Sequence, residues 1–413
     1  MAAGYFAAGK TAELATFEFM VRRLPRNRDY LVVAGLPQIV DYLLNLSFDA
    51  AEIEYLRGLP QFAAADPDFF EYLRGLKFTG DLFAVPEGTI LYAGEPILTL
   101  RAPIIEAQIP ETYLLSAITF QSLIASKASR MVQAAEGRPV VEFGTRRAHT
   151  PDAGVLGARA AYIGGCAGTS NTLAGFRYGL PVFGTAAHSW TMAFAGESEA
   201  FRQLQKLLGE RTVYLVDTYD TLEGTRRAIA LGEPFWGVRL DSGDFLTLSR
   251  EVRALLDDAG LRHAQIMISG DLDEHRIAEL VAAGAPIDSF GVGTELATSA
   301  DAPSMGAVYK LVEIDVAGIK RYTMKLSPDK QTMPGPKQIF RLTDRDVITR
   351  SGECVPQAEA LLKPVIIGGQ LVQDLPSLEQ SRERARRLPA LPPRIEHSTE
   401  LLALDEQTRR SVQ

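Results

Sequence analysis

Arg239-Leu-Asp241-Ser-Gly-Asp244 sets one guanidinium and two carboxylates around what reads as a single strand end. One use of such a set is to hold a polyhydroxylated, phosphorylated ligand and its magnesium, the carboxylates taking hydroxyls or metal and the arginine taking an anion. The other is a solvated ion-pair cluster in which Asp244 caps the next helix, and for Asp244 itself capping is the expectation. Val141-Glu-Phe143-Gly-Thr-Arg146-Arg147 reads as a strand turning sharply at Gly144 into two adjacent guanidiniums, suited to carboxylate or phosphate groups. One of them can instead pair with Glu142 or Asp152, so Arg146 alone is carried as a ligand-binding candidate. Phe143 fits either core packing or a plate for a flat ring.

Two late segments, Ser269-Gly270-Asp271 and Gly291-Val-Gly293-Thr294, suit a phosphate, because glycine lets backbone N–H groups approach an anion and the following helix N-terminus adds positive potential. Either loop alone also fits an ordinary tight turn between strand and helix. Their pairing on consecutive strands favours phosphate. His188 lies in Phe183-Gly-Thr-Ala-Ala-His-Ser-Trp190, just past the apolar run Leu180–Phe183, which reads as a strand. A lone histidine is more often structural than catalytic, but placement at a strand end beside Ser189 favours chemistry. His263, His275 and His397 fall on polar or tail segments and read as solvated.

These residues need a scaffold that brings strand ends together. From Val140 to about Thr294, short apolar runs alternate with polar or Gly-rich turns and 3.6-period segments, the mark of βα repetition. Strands are predicted at Val213–Val216, Phe235–Arg239, Gln265–Ser269 and Ser289–Val292. Leu248, Val252, Leu255 and Leu256 form one helix face ending at Gly260, and Ile277, Leu280 and Val281 another ahead of Gly284. Strands joined by helices run parallel, and in such folds chemistry gathers at their C-terminal ends. Asp217, Arg239, Asp241, Ser269 and Gly291 all fall there.

Before this region the chain mixes short helical stretches with turn-rich β segments, including a strand over Thr89–Tyr92. After Met305, Val308–Ile314 and Lys320–Lys325 flank Asp315–Gly318 as a hairpin does. The residues alone therefore point to the α/β class: parallel βα repetition in the middle of the chain, an α+β region ahead of it and a β-rich region after it. The expected boundaries are 1–130, 131–305 and 306–413. The tail carries a basic helical stretch, Leu378–Arg387, and a Pro-rich Leu388–Pro393, read as a surface cap or interface arm.

Length and composition agree with a small-molecule enzyme. The chain has 413 residues, 46% hydrophobic and 23% charged, far from the disordered corner. Its 43 Lys+Arg against 51 Asp+Glu give a net charge of -8, which disfavours broad binding to nucleic acid or an anionic membrane. Cys166 and Cys354 are too few for a disulfide framework or a Cys-rich zinc site, so no zinc is expected and a reducing cytoplasm is the natural compartment. No apolar run approaches a membrane span, and Lys10 and Glu13 interrupt any signal-peptide core.

Glu142-Phe-Gly-Thr-Arg-Arg-Ala148, Gly168-Thr-Ser-Asn171, Gly184-Thr-Ala-Ala-His-Ser-Trp190, Val216-Asp-Thr-Tyr-Asp-Thr221, Arg239–Asp244, Gly291–Thr294 and Lys325-Leu-Ser327 through Gly335-Pro-Lys-Gln338 occur in order. As an ordered set they resemble the nicotinate phosphoribosyltransferase family, which makes nicotinate mononucleotide from nicotinate and phosphoribosyl pyrophosphate in NAD salvage. The resemblance implies a type II phosphoribosyltransferase fold, an incomplete parallel α/β barrel packed with an α+β domain built from the N-terminal region and the β-rich C-terminal region, working as a homodimer with active sites at the subunit interface, with magnesium and with ATP as co-substrate. By position, His188 resembles the histidine that ATP phosphorylates, Phe143 the ring that stacks on the pyridine, and Arg146 and Arg239 ligand-binding arginines. Asp241 resembles the carboxylate holding the ribosyl group. Thr169 and Ser170 fall in the substrate-binding loop, and Ser170 stands where a nicotinamide-using relative shows aspartate. Ser269-Gly270 and Gly291-Val-Gly293-Thr294 resemble the 5′-phosphate loops. The resemblance assigns no metal ligand.

Family members carry a segment like Thr-Asp-Leu-Tyr-x-Leu-Thr ahead of the Met-Ala-Ala-Gly-Tyr seen at Met1–Tyr5, and a second stacking tyrosine, donated across the dimer, belongs to it. The expectation is that the chain as written lacks half of the ring sandwich or that its start is misassigned. Three competing readings stand beside the resemblance. Nicotinamide phosphoribosyltransferase is disfavoured by Ser170, and a sugar-phosphate lyase or isomerase by the lack of a strand-end lysine. A non-catalytic binder that kept the fold is disfavoured by His188, Arg239 and Asp241.

Overall fold

The computed structural model describes residues 1–328, 330–388 and 393–412. The chain divides into two compact units, Met1–Ser122 with Ser304–Gln413, and Leu123–Pro303. N-terminal and C-terminal regions thus fold together, as the α+β expectation required.

The second unit is built on a six-stranded sheet in the order Gly168–Thr169, Val140–Glu142, Ser289–Val292, Gln265–Gly270, Gly237–Leu240, Val213–Leu215. Every pairing in it is parallel. The apolar runs behave as strands buried on both faces: Ile266, Ile268, Phe290, Val292, Val238, Leu240 and Tyr214 are all inaccessible. Helices follow the strands, and their first turns explain many of the polar residues at the strand ends. Asn171, Asp220, Asp244 and Asp273 are N-caps whose side chains accept from Ala174, Glu223, Leu246 and Arg276 N–H groups. Val252 and Leu256, and Ile277 and Leu280, turn inward from their helices as the 3.6-residue spacing predicts.

One expected strand is absent. Leu180–Phe183 makes a single bridge, Thr169 with Val182, and Val182 and Phe183 are exposed. Pro181 removes one ladder donor, and while Leu180 is buried, Val182 and Phe183 face outward instead of filling a core.

The first unit holds a seven-stranded antiparallel sheet that runs Ile319–Tyr322, Ala307–Val316, Leu14–Val21, Pro96–Pro103, Asp81–Ala84, Lys363–Ile367, Gln370–Leu371. The expected hairpin closes at Ala317-Gly318, both at positive φ, with Asp315 Oδ1 accepting from the Gly318 N–H. The expected strand near Thr89 is Ile90–Leu91, paired with Leu31–Val32. Lys337, from the Gly335–Gln338 motif, is buried against Glu18: its Nζ donates to Glu18 Oε2 at 2.7 Å and to the Met333 and Gly335 carbonyls. In this unit that lysine holds a strand rather than facing solvent. The basic stretch of the tail is a helix over Leu378–Ala385 that opens with a Ser377/Gln380 capping box. Of the Pro-rich Leu388–Pro393, residues 389–392 lie outside the described residues.

Candidate active site

The strand ends of the second unit surround a cleft of about 590 Å³. Phe143, Arg146, Ser170, His188, Arg239, Asp241, Ser269, Gly270, Gly291, Gly293 and Thr294, picked out from sequence, line it. Arg147 lines it too, so both guanidiniums of that turn face the cleft and both are exposed. The pairing of either with Glu142 does not occur: Glu142 receives the Gly144 N–H and the Thr169 hydroxyl instead. Thr169 is the exception to the lining, buried with its hydroxyl turned away from the cleft.

Asp241 is the hub. Its Oδ1 accepts from Arg239 Nη2 at 2.6 Å and from Ser269 Oγ at 2.5 Å, and its Oδ2 lies 3.6 Å from His188 Nε2. Burial alone would raise this carboxyl, but the Ser269 hydrogen bond and the Arg239 and His188 charges outweigh it and hold it below the ordinary aspartate value. Arg239 is fully engaged: Nε donates to Ser269 Oγ, Nη1 to Thr185 Oγ1 and Nη2 to Asp241, while its Cζ sits 5.6 Å from the Phe143 ring centroid. Ser269 therefore has its hydroxyl committed inside this network, which leaves its backbone for a ligand. Asp217 supports the same turn from behind, Oδ2 accepting from Asp241 N–H and Ser242 Oγ.

His188 opens the short helix His188–Met192 with its side chain 41% exposed. Its Nδ1 lies 3.3 Å from Thr218 Oγ1. In the neutral tautomer with Nδ1–H donating to that hydroxyl, Nε2 turns its lone pair to the cleft, and the charge that acts on Asp241 belongs to the protonated ring. Ser170 is exposed, its N–H anchored to the Glu142 carbonyl at 2.9 Å.

Close approach explains the glycines. A Cβ on Gly291 would meet the Phe143 ring at 2.6 Å, and one on Gly144 would meet Ala297 Cβ at 2.4 Å and Gly293 O at 2.6 Å. Gly270, at φ +119, could carry no side chain without strain and would push one against the Asp241 carbonyl. Gly293 has open space around it, as backbone facing a ligand needs.

Thr185 and Thr218 were missed as individual residues, although both sit in noted motifs; a threonine's hydroxyl role depends on a partner that sequence does not display. Among the described residues no three His, Cys, Asp or Glu side chains gather as a metal-binding group, and no helix is long and apolar enough to cross a membrane.

Two family models match the chain: the nicotinate phosphoribosyltransferase N-terminal domain over residues 1–119 and the nicotinate phosphoribosyltransferase family over residues 139–326. A nicotinate phosphoribosyltransferase of Mycobacterium tuberculosis is 45% identical over 408 residues, covering 96% of this chain and 86% of the relative. The Bacillus subtilis nicotinate phosphoribosyltransferase is 44% identical over 354 residues, covering 84% and 71%. The crystal structure of human nicotinic acid phosphoribosyltransferase superposes with a TM-score of 0.85 at 28% identity, covering 98% of each chain.

Proposed function

The chain belongs to the nicotinate phosphoribosyltransferase family, and on that premise we propose that it joins nicotinate to phosphoribosyl pyrophosphate, forming nicotinate mononucleotide and releasing pyrophosphate, with ATP as co-substrate. The observation that carries the reading is the convergence, in one cleft, of an aromatic ring with two free guanidiniums, a hydrogen-bonded carboxylate and two glycine loops.

In this reading the pyridine ring lies against Phe143, with its carboxylate toward Arg146 and the Ser170 hydroxyl. The 5′-phosphate meets backbone at Gly270 and at Gly293-Thr294, where a helix begins. The ring nitrogen attacks the anomeric carbon as the bond to pyrophosphate breaks. That nitrogen has no proton to lose, so no general base is needed, and rate comes from positioning and from charge near the developing cation. Asp241, kept ionised by Ser269 and Arg239, is the charge in place for it.

Magnesium fits this donor set as a companion of the pyrophosphate. Asp241 and Asp271 are the carboxylates lining the cleft, and either could hold the ion beside phosphate oxygens and water. Bound there, the ion neutralises the leaving pyrophosphate.

ATP acts through His188: Nε2 attacks the γ-phosphorus, the P–O bond to ADP breaks, and Nδ1 keeps its proton against Thr218. The charged phosphohistidine then alters the cleft's affinity for substrates relative to product. A second copy of the chain is the expected partner. Phe176, 87% exposed, with Leu173, Val182 and Phe183 also exposed, offers apolar surface next to the Gly184–Ser189 wall of the cleft for that copy to cover.

The test is incubation of the purified chain with phosphoribosyl pyrophosphate, magnesium and either pyridine, with and without ATP, followed by chromatographic separation of the nucleotides. Nicotinate mononucleotide forming from the acid and not from the amide, faster with ATP, is the expected result. Preferential use of nicotinamide, or no nucleotide at all, overturns the reading.

A further inference from the structure

The two glycine loops lead into a charged cluster, buried at Lys127 and Glu274 and open to solvent at Asp301, that the proposed chemistry does not use. Lys127, on the helix Glu111–Ala134, has a side chain 2% exposed, and its Nζ lies 2.5 Å from Glu274 Oε2 and 2.9 Å from Asp301 Oδ1. Arg130, on the same helix, brings Nε to 2.9 Å from Glu274 Oε1. Glu274 is the first residue of the helix that follows Ser269-Gly270. Asp301 follows the helix Thr294–Ala297, which starts at the other loop; the connection folds back on that helix through Ala300 N–H to Glu295 O, and Ser299 Oγ donates to Ala302 O across Asp301.

A lysine this deep is costly to desolvate, and a buried ion pair stabilises no better than good apolar packing. What it does supply is a fixed geometry between the groups it joins. Strand pairing registers the roots of the two loops, Ser269 beside Gly291 and Gly270 beside Val292. Beyond the strands the ladder no longer registers them, and the ammonium shared by Glu274 and Asp301 joins the segments that follow the two loops.

We propose that Lys127 is a positioning residue for the phosphate site, tying the Ser269–Gly270 loop through Glu274 and the Gly291–Thr294 loop through Asp301 at the spacing one phosphate group requires. The inference rests on reading these loops as the 5′-phosphate site. Donors held at a set spacing bind an anion without reorganising first, so loosening the tie weakens phosphate binding while leaving the ring pocket at Phe143 and Ser170 in place.

Steady-state kinetics of Lys127→Met separate the two. The KM for phosphoribosyl pyrophosphate should rise about tenfold or more, while the KM for nicotinate stays within about twofold and kcat within about threefold. The thermal stabilisation that phosphoribosyl pyrophosphate gives the wild-type chain should shrink in parallel. If Lys127→Met does not fold, Lys127→Met/Asp301→Asn carries the same measurement, because it removes the cation with one of its carboxylates and leaves Glu274 paired with Arg130. Both KM values moving together, or neither moving, overturns the positioning role in a chain that is otherwise active. A wild-type chain that phosphoribosyl pyrophosphate fails to stabilise overturns the phosphate-site reading, and this inference with it.

Discussion

Thr169 Oγ1 lies 2.5 Å from Glu142 Oε2, and both residues are buried. The same hydroxyl accepts the Asn171 N–H at 2.9 Å, and Asn171 Nδ2 reaches Thr145 Oγ1 at 3.1 Å. The other Glu142 oxygen takes the Gly144 N–H. One carboxylate and one hydroxyl therefore join the turn that carries Phe143 and Arg146 to the loop that carries Ser170. Burial pushes the Glu142 carboxyl up, and the bonds from Thr169 and Gly144 oppose it.

Thr169→Val keeps the shape and deletes that hydroxyl. Glu142 loses a donor and the Asn171 N–H loses its acceptor, both in a buried setting, at a cost of about 1–3 kcal/mol. Denaturant unfolding should show that loss, and the KM for nicotinate should rise more than the KM for phosphoribosyl pyrophosphate. Equal changes in the two would mean that Thr169 supports the unit in general and not the ring pocket.

The parallel sheet was legible because its strands are buried on both faces, which forces short apolar runs, and because each following helix needs a cap. Gln265–Gly270 and Ser289–Val292 emerge almost as read. Leu180–Phe183 was not legible: an apolar run meant for an exposed surface looks like one meant for a core. Thr169 and Ser170 sit side by side in sequence, but successive residues at a strand end point to opposite faces, so only one can line the cleft. Lys127 gave no signal, because a lysine in an apolar helix ordinarily bends its amine to water, and its carboxylate partners lie far downstream.

Glu95 makes stability depend on pH. Burial, with the neighbouring Asp346 carboxylate, raises its carboxyl to about 9, against the lowering bond from the Tyr92 N–H. Ionised, Oε1 is a buried acceptor with no donor; protonated, it donates to Asp346, which Arg341 already binds through both oxygens. A carboxyl raised on folding contributes stability that is full below its unfolded value and fades as pH climbs toward about 9. Melting temperatures measured across that range should decline in the wild-type chain and decline less in Glu95→Gln. Parallel curves would place the titrating group elsewhere.

His188→Ala should abolish ATP stimulation and the accompanying ATP hydrolysis while leaving ATP-independent synthesis, because in the proposed reaction the imidazole carries a phosphoryl group and does not touch the reacting carbon. Mass spectrometry after brief exposure to ATP should find an acid-labile phosphate on His188 of the wild-type chain. A phosphate mapped to another residue, or stimulation that survives the substitution, defeats the assignment.

In the proposed reaction the choice between acid and amide rests on the charge around Ser170. Its exposed hydroxyl and the exposed guanidiniums of Arg146 and Arg147 line one cleft together with the carboxylates Asp241 and Asp271, and Glu142, in the loop network, is buried with both oxygens engaged. Ser170→Asp would set a second carboxylate against that of nicotinate and offer an acceptor to an amide N–H. Repulsion in a partly desolvated pocket is strong enough to dominate selectivity. The value of kcat/KM for nicotinate should fall by roughly 10²-fold, the equivalent of ~3 kcal/mol of lost pairing, with weak use of nicotinamide appearing. A variant that keeps the wild-type preference would show that Ser170 does not face the ring's substituent, and the Gly168–Asn171 loop would then have no part in choosing the substrate.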